Sequence, residues 1–384
     1  MENHGGRIRL LDILRGFAVL GTLGTNIWIF AHLGDINYVF TFNHAAWWSS
    51  LQDFVRVFVL FLVNGKLLGL LTMMFGVGLE MKYRQALKRG NAWPGMYLWT
   101  SLILMTEGFL HFTLVMEYDI LMSYGFAAII AAFIVKGGDR AIRRAMWIFG
   151  GVHGAIMLLI LGFGIYLGLS GVHFSMGDMS ETRALYGGGS WFQQVQDRLV
   201  NFWALRLEAV FVIPMNLFLF LLGIRMMRSG VFAPDEKGRQ HRRKLLKLGL
   251  ALGIPLNLLM FIPGGYLDFP VRYLFAPLLS LGYLALIAKL IERYEGLWLW
   301  HRLEQVGRMS LSCYVLQNIT ASLIFYGWGL GLGGKVDAFT TVLIWMAISS
   351  FQIVFASLWS KRFRFGPMES ARRWMTNLAG KQAA

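Results

Sequence analysis

Along its 384 residues the chain alternates long apolar runs with short polar or basic connections. About 20 consecutive apolar residues cross a bilayer as an α-helix. Ten runs approach or exceed that length: 10–32, 51–81, 96–116, 118–136, 145–170, 202–225, 245–262, 271–291, 309–332 and 338–360. The pattern predicts an all-α polytopic membrane protein, one transmembrane domain built as a bundle of about ten helices, with 361–384 as a short basic tail. The second run is long and contains Asn64-Gly65, so a break or a tilt is expected there, with an eleventh crossing as the alternative count. The N-terminal stretch has Arg15 inside its apolar run and no A-x-A-like cleavage site, which reads as a retained first helix.

Composition agrees with this reading: 56% of residues are hydrophobic and 15% charged, against about 25% charged in a soluble chain. The net charge of +15 first suggests nucleic acid. The basic residues, however, sit in short clusters between apolar runs. Of the 36 Lys and Arg, 28 fall at the termini and on the connections after runs two, four, six and eight. The opposite connections, 33–50, 171–201 and 333–337, carry only Arg183, Arg198 and Lys335. By the positive-inside rule both termini are expected in the cytoplasm, with the lipid bilayer as the partner and no nucleic acid. The loop 171–201 is a candidate cap over a pocket or a plain connector. The single cysteine, Cys313, excludes a disulfide within the chain and a cysteine-based metal site, and no metal is expected.

Ionisable residues inside apolar runs are expensive and often functional. An outer group gathers on runs one to four: Asn26, His44, Asp53, Glu107, His111, Glu117, Asp119 and Tyr124. Glu107 and His111 are four residues apart and share a helix face. An inner group comprises Asp12, Arg15 and Lys66. Asp12 and Arg15 can pair at i, i+3, and a lone buried lysine such as Lys66 seeks an anion or loses its proton. Arg15 and Lys66 beside a cavity open to the cytoplasm would suit a phosphate-bearing ligand. Each residue also has a bland reading, as interface histidine, solvated turn carboxylate or structural ion pair.

Several stretches resemble the YeiB family of bacterial inner-membrane proteins. RLLDILRGFAVLGTLGTNI at 9–27 is similar to its D-x-x-R-G helix with a later Asn, and NGKLLGLLTMMFGVGLEM at 64–81 to its K-F-x-x-L-F-x-x-L-F-G-x-G segment. GFLHFTLVMEYDILMSYGF at 108–126 resembles its G-x-x-H…G-D-I-L-x-x-Y-G segment, and GRMSLSCYVLQNI at 307–319 and FGPMESARRWMT at 365–376 resemble two further elements. The chain departs from the pattern at Met116-Glu117-Tyr118, Ser312, Ser370 and Ala371. That family is grouped with transmembrane acyltransferases, including the lysosomal heparan-α-glucosaminide N-acetyltransferase.

The resemblance implies a bacterial inner (plasma) membrane location and an acetyl-CoA or other acyl-CoA donor, taken from the cytoplasm. The acceptor it implies is a sugar-like small molecule or glycan bearing a hydroxyl or amine. NHAAWWSSLQDFV at 43–55 is similar to the segment holding the catalytic histidine of the lysosomal enzyme, which points to His44 with Asn26; the YeiB pattern points to His111. Either imidazole would act as general base, oriented by Asp119 or Glu107, with Asn26 facing the oxyanion. Arg15, Lys66 and Asp12 would hold the donor, and Tyr124, Gln317 and Trp47 would touch the acceptor. A homodimer is compatible with the sequence. Two other classes keep their place: an exporter using these residues as a proton relay, and a membrane scaffold in which they are structural.

Overall fold

In the computed structural model of the protein, residues 3–4, 7–41, 47–172 and 175–382 are described. The helices are α1 (Arg9–Ala31), α2 (Leu51–Val63), α3 (Lys66–Lys88), α4 (Met96–Leu114), α5 (Leu121–Lys136), α6 (Gly138–Leu169), α7 (Ser180–Gly188), α8 (Trp191–Val200), α9 (Ala209–Arg228), α10 (Glu236–Phe261), α11 (Asp268–Arg293), α12 (Trp298–Arg308), α13 (Ser310–Phe325), α14 (Ala338–Trp359) and α15 (Pro367–Gln382). The only strands among the described residues are the two-residue pair Asn3–His4 and Arg7–Ile8. Seven helical stretches are long and apolar enough to cross a membrane: α1, the α2–α3 pair, α6, α9, α10, α11 and α14. α5 and α13 are shorter apolar helices. The architecture is that of an all-helical membrane protein.

Each of the ten apolar runs lies largely on a helix, but the limits shift. The runs 96–116 and 118–136 are separated by a non-helical segment, 115–120. The run 309–332 stops being helical at Phe325, before glycines 327, 329 and 331. α10 and α11 each contain a π-helical stretch, Gly249–Gly253 and Val271–Phe275.

α1 is the centre of the bundle. Of its apolar window 78% is buried, whereas the figure for α6 is 17%. α6 exposes Trp147, Leu159, Phe163 and Leu169, as a lipid-facing helix does. The contact between α1 and α12 is backbone on backbone: a Cβ built on Gly307 would lie 1.7 Å from the Asp12 carbonyl oxygen, and one on Gly16 would lie 2.0 Å from that of Leu303. Small residues permit this approach between membrane helices, where dispersion contacts replace the hydrophobic effect.

The expected break at Asn64-Gly65 is present. Gly65 has φ +75°, and a Cβ there would meet the Arg272 carbonyl oxygen at 2.3 Å, so only glycine fits. The Asn64 side chain donates to the Val39 carbonyl at 3.1 Å and occupies an acceptor that the loop would otherwise leave unpaired.

Candidate functional site

Polar groups collect at both ends of the bundle. At the end that carries few basic loops, the last turn of α4 brings His111 against the segment 115–120. His111 Nδ1 lies 3.0 Å from Asp119 Oδ1, both side chains being buried. The angle is off the axis of an aligned hydrogen bond, so the contact is chiefly electrostatic. The Asn318 amide nitrogen lies 3.1 Å from His111 Nε2 and, oriented this way, donates to it, which leaves the ring proton on Nδ1, facing the carboxylate. Asp119 is itself fixed: Oδ2 accepts from the Met122 amide at 2.9 Å, and its carbonyl accepts from Arg206 Nη1 at 2.8 Å. Gly108 allows this closeness, because a Cβ there would lie 2.3 Å from the Met122 nitrogen.

Asp119 forms part of the wall of a cavity of about 60 Å³, which is also lined by Asn26, Tyr118, Glu208, Arg272 and Tyr314. His111 stands behind Asp119 and is not in the lining. Glu208 sits on the loop just before α9, and burial there pushes its carboxyl up from the usual range, against the pull of Arg272 and Arg206. The loop 171–201 folds down over this end. Arg183 pairs with Asp35 at 2.5 Å, Asn37 reaches the Gly177 carbonyl at 3.4 Å, and Tyr186 donates to Glu117 at 2.7 Å. None of the loop's described residues lines the cavity; its contacts tie it to Asp35, Asn37 and Glu117.

At the basic end a second cavity, about 270 Å³, is lined by Arg15, Lys82, Arg308 and Arg372 among others. The carboxylates near it are already engaged. Glu369 accepts from the Leu311 amide at 2.9 Å and from the Ser312 hydroxyl at 2.5 Å, and Asp12 lies 3.7 Å from Arg15. Between the two cavities lies a narrow one of about 80 Å³. It shares Phe75, Leu104, Leu311 and Arg372 with the basic-end cavity, and Ile120 and Tyr314 with the far-end cavity. The three lie end to end through the bundle. Among the described residues no three His, Cys, Asp or Glu side chains converge to hold a metal ion.

Residues 226–379, from the end of α9 through most of α15, match a family described as a protein of unknown function (DUF418). The chain is 29% identical to the uncharacterized protein YeiB of Escherichia coli over 95% of each chain. The likeness to YeiB runs along nearly the whole chain. It is also 28% identical to the uncharacterized protein YxaH of Bacillus subtilis, covering 98% of this chain and 96% of that one.

The fold brings some of the expected residues together and separates others. Asn26 and Asp119 face one cavity, with His111 directly behind. Glu107 shares a helix with His111 but turns to the basic end, where Arg372 Nε donates to it at 2.8 Å; a guanidinium from α15 is the stronger partner. Lys66 does not join Arg15. It is fully buried at the break, 5.5 Å from the Phe61 ring, and its Nζ meets no acceptor. Tyr124 shares a hydrogen bond with Thr72 at 2.5 Å and lines the narrow cavity. Gln317 is buried away from the cavities, donating to Thr22 at 3.3 Å and accepting from Gln352 at 3.3 Å, so it ties α13 to α1 and α14. Trp47 donates to the Phe261 carbonyl at 2.7 Å, outside the cavity lining. His44 lies outside the described residues.

Glu208, Arg206, Arg272, Lys82, Arg308 and Arg372 are the functional candidates that sequence reasoning missed. For Arg272 the signal was available: it is a charge inside the apolar run 271–291. For Lys82, Arg308 and Arg372 it was hidden, because loop cations read first as topology markers.

Proposed function

We propose that this protein is a transmembrane acyltransferase that takes an acyl-CoA donor at its basic end and acylates a hydroxyl or amine acceptor at the far end. The observation that carries the reading is the end-to-end run of cavities, cationic at one end, narrow and largely apolar in the middle, and carboxylate-bearing at the other. Arg15, Lys82, Arg308 and Arg372 supply charge-assisted donors for the phosphates of the donor. Phe75, Leu104 and Tyr124 wall a passage suited to a thin, uncharged thioester arm.

At the far end Asp119, backed by His111, takes the proton of the acceptor as its oxygen or nitrogen bonds to the thioester carbonyl carbon. The C–S bond then breaks, and the thiolate leaves with a proton. Asn26 and Tyr314 stand at the wall where charge develops on the carbonyl oxygen. His111 serves by holding the Asp119 charge, the reverse of the order the sequence suggests. In the second reading, an exporter, Asp119 and Glu208 relay protons along the same path; the shared walls of the cavities favour it equally, the cationic basic end less so.

The same reading places both termini in the cytoplasm of a bacterial plasma membrane, with about ten crossings. Single cysteines at Lys237 and Gly188, both exposed, test this, since Cys313 is buried and silent. An impermeant thiol reagent applied outside should label Gly188→Cys and spare Lys237→Cys; the opposite result inverts the assignment of the two ends. For the activity, purified protein in nanodiscs is incubated with radiolabelled acetyl-CoA and a panel of sugar and amine acceptors. Label transfer or release of CoA supports the enzyme. Solute flux in proteoliposomes without CoA turnover supports the exporter.

A further inference from the structure

Arg272 is the cation of the far-end cavity that the acyl-transfer chemistry leaves unused. It enters from the π-helical stretch at the start of α11. Two rings hold its guanidinium in place, Phe40 with its centroid 5.5 Å away and Tyr273 at 5.2 Å. Its Nε and Nη1 are buried and meet no acceptor, while the Tyr273 side chain hydrogen-bonds the guanidinium and Glu208 attracts it. Buried N–H groups left unpaired on a charged side chain are costly. A side chain held rigidly in that state is prepared for an acceptor from outside the chain.

The surroundings favour an anion over a neutral solute. Lys66, fully buried on the other side of the Gly65 break, adds a second cation, one without a hydrogen-bond partner. Arg206 is a third cation nearby: Nη1 donates to the Asp119 carbonyl at 2.8 Å, Nε and Nη2 are buried without acceptors, and its guanidinium stacks 4.3 Å from the Phe112 ring centroid. Against these stand Asp119, already engaged with His111 and the Met122 amide, and Asp268, which accepts from Thr41. Glu208 faces the same cavity, and burial pushes its carboxyl up from the usual range. Asn26 and Ser123 complete the wall with neutral polar groups.

We infer that the far-end cavity binds an anionic group, a carboxylate or a phosphate, with Arg272 as its main partner. The volume fits: about 60 Å³ corresponds to roughly five water sites, the size of such a group and far short of a sugar ring. The inference rests on the acyl-transfer reading in one respect only, that the occupant is then the acceptor, which carries an acidic group close to its nucleophile. A fork of N–H donors recognises both anions in a bidentate manner, so the chemistry is shared between a soluble acid and a phospholipid head group.

The test is direct binding, without donor. Purified protein in nanodiscs is titrated with inorganic phosphate and with acetate, with chloride at matched ionic strength as the reference, and tryptophan fluorescence and the thermal midpoint are followed. Saturable stabilisation by phosphate or acetate beyond chloride is expected. Arg272→Gln should weaken it by roughly 10–100-fold, the loss of a charge-assisted contact, and Arg272→Lys should keep part of it. Should Arg272→Gln fail to fold, Ser123→Leu fills the cavity from another wall while leaving Arg272 in place, and it must also lose the response.

Phosphatidate in the nanodiscs separates the sources. If it competes with phosphate, the anion is a lipid head group; if it does not, the anion is soluble, and either outcome supports the site. No anion-specific saturation, or an equal response in Arg272→Gln and in Ser123→Leu, overturns the inference. Anion binding that survives in a protein without acyl transfer would retire the enzyme reading alone, and acyl transfer without anion binding would retire this inference alone.

Discussion

The basic-end cavity and the far-end cavity use arginine in opposite ways. At the basic end four cations line about 270 Å³, and the neighbouring carboxylates are drawn off to caps and ion pairs. Three of them remain partly in solvent, with side-chain exposures of 27% for Arg15, 43% for Arg308 and 20% for Arg372. Such groups are cheap to keep charged and are screened by salt; they attract a polyanion without fixing its shape. At the far end a single lining arginine is clamped between rings in about 60 Å³, facing Asp119 and Glu208. There desolvation is already paid for, and each contact is worth more and is more particular. The contrast teaches that on the proposed reading one end would collect by charge and the other select by fit.

The sharpest way to break this contrast is at Asp119. Asp119→Asn should lower acyl transfer by about 10²–10⁴-fold, the usual worth of a general base, with donor affinity unchanged in a direct titration. Equal loss of donor affinity would mean that the two ends are not separate sites. His111→Ala, acting through Asp119, should cost less than Asp119→Asn, and the ratio of the two kcat values checks the order of the pair.

Next in size is the middle. Leu104→Trp narrows the wall shared by the basic-end and narrow cavities; misplacing reacting groups by about 1 Å can cost 10²-fold, so transfer should fall while donor still binds. Arg15→Gln and Arg308→Gln should each weaken donor binding by about 1.5–3 kcal/mol. The effect should shrink as salt is raised, which calorimetry at two ionic strengths would show. The smallest effect belongs to Lys66→Met. Lys66 lies outside the basic-end cavity, so donor affinity should stay within about 0.5 kcal/mol of the parent. A larger change would return Lys66 to the donor site.

Much of this was legible in sequence, for reasons that can be named. Apolar length alone marks α1, α6, α9, α11 and α14, because the bilayer imposes one rule on all of them. Asn64-Gly65 announced the break, since a polar turn-forming residue followed by glycine disfavours an unbroken helix there. Asp119 and His111 stood out as charges in apolar surroundings, and they do meet. What sequence could not give is direction. Glu107 and His111 share a face on a helical wheel, yet Arg372, more than 260 residues later, captures Glu107. The π-helical stretch Val271–Phe275 reorients Arg272, and no local pattern in VRYLF announces it. The shortfall lies in long-range pairing, which depends on how helices far apart in the chain come to rest side by side.

The glycine contact between α1 and α12 also bears on how the protein is made. α1 precedes the other helices in the chain, and most of its surface ends up covered. The backbone it fits against, around Leu303 and Gly307, is synthesised nearly 300 residues later. At about 5–20 residues per second, that interval is roughly a quarter of a minute to a minute. During that time the innermost helix of the finished bundle sits at the membrane without its closest partner. Insertion of this chain is therefore not a matter of adding finished helices in order; α1 must be held, by the insertion machinery or by neighbours made soon after it such as α3, until α12 arrives to enclose it.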